Sequence, residues 1–173
     1  MDNIVLCGFM GCGKTTVGRQ LAEMTGFRFV DMDAYIEEQA GMTVSAIFER
    51  FGEVDFRKRE REACATLCRQ NRLVIATGGG ALTFPENAAM LRSTGCIVLI
   101  AVSPEAILQR LKDDNTRPLL ARTDKEAAVR ELHDRRIPLY RAAADIEVDG
   151  EQAPEQVAQA IRDAVKTFRR NPG

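Results

Sequence analysis

Short apolar runs alternate along the chain with longer stretches whose apolar positions recur at helical spacing. Ile4-Val5-Leu6-Cys7, Leu73-Val74-Ile75-Ala76 and Cys96 through Val102 are continuous apolar runs with the length of buried strands. Phe27-Arg28-Phe29-Val30 and Asp145-Ile146-Glu147-Val148 read as two further, weaker strands. Between them lie helical segments over about 16–24, 34–39, 44–51, 53–70, 85–92, 104–112, 124–144 and 154–168. Thr43 and Ser103 stand where N-caps belong, and Pro85, Pro104 and Pro154 open first turns. Gly26, Gly41, Gly52 and Gly95 close elements. Pro138 lies inside the 124–144 segment and predicts a kink or a split there. Strand and helix alternate throughout. The pattern predicts an α/β fold in one domain, 1–173, with a five-stranded parallel sheet covered by helices on both faces.

Residues 113–124 break this rhythm. They are polar, lack periodicity and include Asn115-Thr116-Arg117-Pro118, a composition that suggests a mobile lid over a site. Composition otherwise narrows the function. The formal charge is −1, which offers no electrostatic footprint for nucleic acid or anionic lipid. No apolar run approaches the roughly 18–20 residues of a membrane span. The chain passes from Met1-Asp2-Asn3 into its first strand, so no signal peptide is expected. The five cysteines include no Cys-x-x-Cys and read as reduced thiols of a cytoplasmic protein.

The chemistry begins at Gly8-Phe9-Met10-Gly11-Cys12-Gly13-Lys14-Thr15, which fits G-x-x-x-x-G-K-[ST] at every fixed position. A predicted strand precedes it and a predicted helix follows. In that context the loop gathers backbone N–H groups at a helix N-terminus, where a phosphate binds. Lys14 can reach the outer phosphates of a nucleotide and the Thr15 hydroxyl can ligate Mg²⁺. Cys12 sits inside the loop, where its oxidation could interfere with nucleotide binding.

Three strand ends then meet on one rim, because ligands of parallel sheets bind beyond the carboxyl ends of the strands. Asp31 and Asp33 follow the second strand. In extended chain they project to one side, one suited to hold a metal directly or through water, the other to orient a hydroxyl. Alternatively, Asp33 only caps the next helix. Gly78-Gly79-Gly80 follows the third strand and permits either close ligand approach or simply a tight turn. Arg57 lies in a charged run that composition alone reads as a solvated helix face. Arg117 could stabilise transferring charge. Arg135, Arg136 and Arg141 flank Pro138-Leu139-Tyr140, where an arginine could clamp a carboxylate or merely favour a helix end. His133, the only histidine, reads as a surface residue.

Taken together, these motifs resemble the shikimate kinase family. The resemblance rests on the phosphate loop, Asp-x-Asp, Phe56-Arg57 with a nearby glutamate, the triple glycine, Arg117-Pro118-Leu119-Leu120 and Arg136-Ile137-Pro138-Leu139-Tyr140, in this order from Gly8 to Tyr140. It implies a three-layer P-loop kinase fold and ATP-dependent phosphorylation of the 3-hydroxyl of shikimate, on the route to chorismate and the aromatic amino acids. By similarity, Gly11, Cys12, Gly13, Lys14, Thr15, Thr16 and Arg117 bind ATP, and Thr15 and Asp31 hold Mg²⁺. Asp33, Arg57, Gly79 and Arg136 bind shikimate, with Lys14, Asp33 and Arg117 catalytic. A monomer is expected, with shikimate and ATP as its partners. The stretch 150–154 departs from the family's adenine-contacting pattern, and Cys12 stands where a small residue is familiar. A small P-loop kinase for another acceptor such as gluconate shares the loop but has no need of Asp33, Arg57, Gly79 and Arg136 together. A guanine-specific switch would carry Asn-Lys-x-Asp, which the chain lacks.

Overall fold

The computed structural model describes residues 3–112 and 124–170. Strands β1 (Asn3–Cys7), β2 (Arg28–Asp31), β3 (Leu73–Ala76), β4 (Gly95–Ala101) and β5 (Ile146–Asp149) form one sheet in the order β2-β3-β1-β4-β5. Every neighbouring pair is parallel. β1 and β3 are buried at every position and β4 at all but its last residue, which requires cover on both faces. Helices α1 (Lys14–Thr25) and α7 (Pro154–Arg170) pack against each other, α1 also resting on β2 and β3 and α7 on β5. Helices α4 (Pro85–Arg92) and α6 (Lys125–Ala143) rest on β4. Helices α2 (Met32–Ala40), α3 (Val44–Leu67) and α5 (Pro104–Arg110) complete the architecture. Among the described residues no helix is long and apolar enough to cross a membrane.

The caps follow the local chemistry. Thr43 accepts a hydrogen bond from the Ala46 N–H and Ser103 from the Ala106 N–H, each satisfying a donor that the first helical turn leaves open. The 44–51 and 53–70 segments join as α3, with a break at Gly52 (φ 81, ψ 176) that confirms the predicted stop without separating the two parts. Pro138 does not split α6. Pro138 and Asp134, whose carbonyl loses its helical donor, both lie on the exposed side, where water can take the bond.

Two expectations need correction. The chain is not extended through Met32-Asp33: α2 begins at Met32, and Asp31 rather than Asp33 is its cap, accepting from the Ala34 N–H at 3.0 Å. The two aspartates are therefore related as the N-cap and the second residue of a helix, not by strand alternation. His133 is not a surface residue. It is buried, its Nε2 lies 2.9 Å from the Val102 carbonyl oxygen, and its ring meets Phe9 edge-on at 5.5 Å. The surrounding charges of α6 hid an inward-facing position.

Helix α1 lies close to the sheet because Gly18 has no side chain. A Cβ there would fall 2.5 Å from the Phe29 ring and 3.3 Å from Leu6. Gly18→Val should lower stability by about 1–3 kcal/mol through overpacking, read as an earlier midpoint in urea unfolding. An unchanged midpoint would show that α1 can lift from the sheet without cost.

Candidate active site

Two halves of a site meet beyond the carboxyl ends of β1, β2 and β3. The phosphate loop leaves β1 and turns into α1 through Gly13, which has φ 95 and takes a left-handed conformation that glycine reaches freely. Lys14 Nζ donates to the carbonyls of Gly8 at 2.6 Å and Phe9 at 3.2 Å, and so lies over its own loop. The Thr15 hydroxyl donates to Asp31 Oδ2 at 3.2 Å, joining the start of α1 to the end of β2. Met10, Gly11, Gly13, Lys14, Thr15, Thr16, Asp31, Asp33 and residues 76–79 line one cleft of about 210 Å³. Cys12 is buried and points inward, its Sγ 3.6 Å from Lys14 Nζ and against Gly8. It therefore packs beneath the loop rather than facing the cleft.

The other half is assembled on Gly78-Gly79-Gly80. Thr77 ties this run to β1, since its N–H and hydroxyl both donate to the Leu6 carbonyl, at 3.0 and 2.9 Å. Each glycine then faces a different charged side chain. A Cβ on Gly78 would lie 2.6 Å from Asp33 Oδ1, one on Gly79 would lie 3.1 Å from Arg136 Nη1, and one on Gly80 would lie 2.6 Å from both terminal nitrogens of Arg57. The absence of side chains on this run thus lets the protein's own charged groups approach its backbone closely. It also separates Arg57 and Arg136 from the other arginines of their helices. Arg141, by contrast, pairs with Glu147 on the surface.

Arg57 is held on several sides. Its Nη1 donates to Glu60 Oε1 at 2.9 Å, its Nε lies 3.5 Å from Glu53, and its guanidinium sits 5.4 Å from the Phe56 ring centre and 5.5 Å from that of Phe84. Glu60 is 1% exposed. Burial pushes its carboxyl above the ordinary range, Arg57 pulls it back, and Asp33 adds to the rise. Tyr140, one turn beyond Arg136 on α6, donates its hydroxyl to the Gly79 carbonyl.

Sequence reasoning left four of these residues without a role. Glu60 stands three residues after Arg57, a spacing that pairs side chains on a helix, and Tyr140 stands four after Arg136. Those spacings are visible signals. Thr77 carried none. Arg110 also carried none, yet it donates to the Gly11 carbonyl at 3.2 Å and the Gly150 carbonyl at 2.9 Å, linking the phosphate loop to the stretch after β5. Arg117 lies outside the described residues, as does the rest of 113–123.

A phosphate loop at a strand-to-helix turn, carboxylates at the next strand end and paired arginines opposite define a P-loop phosphotransferase with a separate acceptor half. The shikimate kinase family model matches residues 10–166. A shikimate kinase of Caldanaerobacter subterraneus subsp. tengcongensis is 46% identical over 162 residues, 93% of this chain and 94% of the relative. The structure of a shikimate kinase from Acinetobacter baumannii, in complex with shikimate, is 41% identical with a TM-score of 0.92, covering 99% of this chain and 96% of that one. A gluconokinase structure from Sinorhizobium meliloti, 14% identical with a TM-score of 0.61, shares the fold alone. The chain belongs to the shikimate kinase family.

The Glu60 environment gives a pH dependence. Its carboxyl is raised in the folded protein, so the native state keeps a proton that the unfolded chain has already lost. This contribution to stability is present below the ordinary value of 4.5 and is lost as pH rises from there through the raised folded value. Glu60→Gln, which cannot titrate, should flatten that segment of the curve of urea midpoint against pH. A variant curve parallel to that of the unaltered protein would remove Glu60 as its source.

Proposed function

We propose that the chain transfers the γ-phosphoryl group of ATP to the 3-hydroxyl of shikimate, giving ADP and shikimate 3-phosphate. The observation that carries this reading is the convergence of Asp33, Arg136 and Arg57 on consecutive glycines beside the phosphate-loop cleft. Two guanidiniums suit a carboxylate, which each can grip with two parallel N–H donors. A carboxylate nearby suits a hydroxyl. Shikimate offers both groups on one ring.

The roles divide accordingly. Backbone N–H groups of 11–16 cradle the phosphates, and Lys14 leaves its loop carbonyls to follow the charge of the γ-phosphoryl group. Arg57 and Arg136, with the Gly79 backbone, hold the acid end of the ring and so turn the 3-hydroxyl toward the donor. Asp33 orients that hydroxyl and takes its proton as the oxygen bonds to phosphorus and the bond to ADP breaks. Arg117 adds positive charge around the transferring group, the role the family resemblance gives it. The Thr15 hydroxyl and the Asp31 carboxylate, 3.2 Å apart, are hard oxygen donors that fit Mg²⁺. That ion, when bound with the nucleotide, would neutralise phosphate charge. All five cysteines are free thiols, which accords with a reducing cytoplasm. The assignment treats the chain as one catalytic domain acting as a monomer.

A coupled assay for ADP should show ATP consumption with shikimate and none above background with gluconate or AMP. Activity with gluconate or AMP instead would reverse the assignment. Asp33→Asn should lower turnover by about 10²–10⁴-fold while ATP affinity stays near that of the unaltered protein. Turnover near normal would remove Asp33 as the base. Arg136→Ala should weaken shikimate binding by at most about 2–5 kcal/mol and leave ATP binding intact. Loss of ATP binding would instead place Arg136 on the donor side.

A further inference from the structure

The three carbonyls of the glycine run are held in different ways. Gly78 O accepts from the Ala81 N–H at 3.2 Å, and Gly80 O accepts from the Thr83 N–H at 3.2 Å and the Thr83 hydroxyl at 2.6 Å. All three bonds are local and belong to the turn Ala81–Thr83 that follows. The Gly79 carbonyl accepts instead from the Tyr140 hydroxyl, 61 residues away on α6. Glycine has the widest backbone freedom of any residue, so a run of three depends on such tethers for a defined shape. A peptide plane carries its carbonyl and the following N–H together, so fixing the Gly79 oxygen also fixes the direction of the Gly80 N–H.

Tyr140 is suited to the task. It is 1% exposed, with its ring in the core and only its hydroxyl reaching the site. An ideal Cβ on Gly79 would lie 3.1 Å from Arg136 Nη1 and 4.0 Å from the Tyr140 oxygen, so both side chains bear on one glycine. Burial pushes the phenol up to about 12, with the Arg136 charge opposing the rise, and the hydroxyl therefore stays protonated through any working pH.

We infer that Tyr140 is a positioning residue for the acceptor: by pinning the Gly79 carbonyl beside the Arg136 guanidinium, it presets the glycine backbone and the arginine as one grip for the substrate carboxylate. The inference rests on the functional reading above. Tyr140 itself need not touch substrate. Its effect belongs to acceptor binding, since its hydroxyl bonds the Gly79 backbone beside Arg136.

Tyr140→Phe removes one oxygen and keeps the ring in the core. Steady-state kinetics should show the KM for shikimate rising about five- to tenfold, the size of one lost hydrogen bond, with kcat and the KM for ATP changed by less than about twofold. Placing 4-aminophenylalanine at position 140 restores an N–H donor at the same point and should return the KM for shikimate toward its original value. An unaltered KM for shikimate in a Phe variant that binds ATP would overturn the inference. So would an equal rise in both KM values that the amino variant does not reverse, because that pattern marks a general structural role. If the Phe variant does not bind ATP, the amino variant decides: a KM for shikimate near the original supports the tether, and a raised one overturns it. Should the unaltered protein fail to phosphorylate shikimate, the functional reading itself fails, a result distinct from each of these.

Discussion

Asp33, Arg57 and Arg136 reach the backbone of residues 78–80 from three different helices, α2, α3 and α6. They fit because the strand end they meet carries no side chains. Placing a methyl group at Gly78 or Gly80 would put it 2.6 Å from a charged atom, a separation at which the neighbour must move. The proposed acceptor half of the site therefore depends on an absence of volume at three consecutive positions. The sheet then sets where that gap lies. β3 sits between β2 and β1, so the glycine run emerges between the aspartates on one side and the phosphate loop on the other.

Charge is kept in place there by mutual constraint. Arg57 has Glu60 and Glu53 beside it and two aromatic rings within cation–π reach, and Glu60 is buried against it. A buried ion pair of this kind adds little net stability, since desolvation offsets much of the attraction. Its consequence is geometric: the guanidinium has few other places to go. The donor half is held differently. Lys14 rests on loop carbonyls, which are weaker holds than a carboxylate and easily exchanged for phosphate oxygens. In the proposed reading one half is preset and the other is ready to re-pair when a nucleotide binds.

Much of this was legible in the sequence, for physical reasons that differ by residue. The phosphate loop was readable because its spacing is fixed by backbone geometry that tolerates few alternatives. The buried strands were readable because a parallel sheet covered on both faces needs unbroken apolar runs. The turn at Met32 was misplaced because Asp31 and Asp33 are both good caps, and only the fold decides which one takes the position. Arg57 and Arg136 could not be separated from neighbouring arginines by composition, since what distinguishes them is the glycine each one faces far away in the chain. His133 was misread for the same reason, its partners Val102 and Phe9 being long-range. Tyr140 stood in a recognised motif without a role of its own, because the Gly79 carbonyl it meets lies 61 residues away.

The central claim is that the glycine run collects two arginines and one aspartate into a grip for a hydroxylated carboxylic acid. A crystal structure of the chain with shikimate and Mg·ADP tests it most directly. The account predicts the shikimate carboxylate between Arg57 and Arg136 against the Gly79 backbone, with a ring hydroxyl on Asp33 facing the phosphate loop. A carboxylate bound elsewhere, with Arg57 still paired only to glutamates and Asp33 away from every hydroxyl, would contradict it.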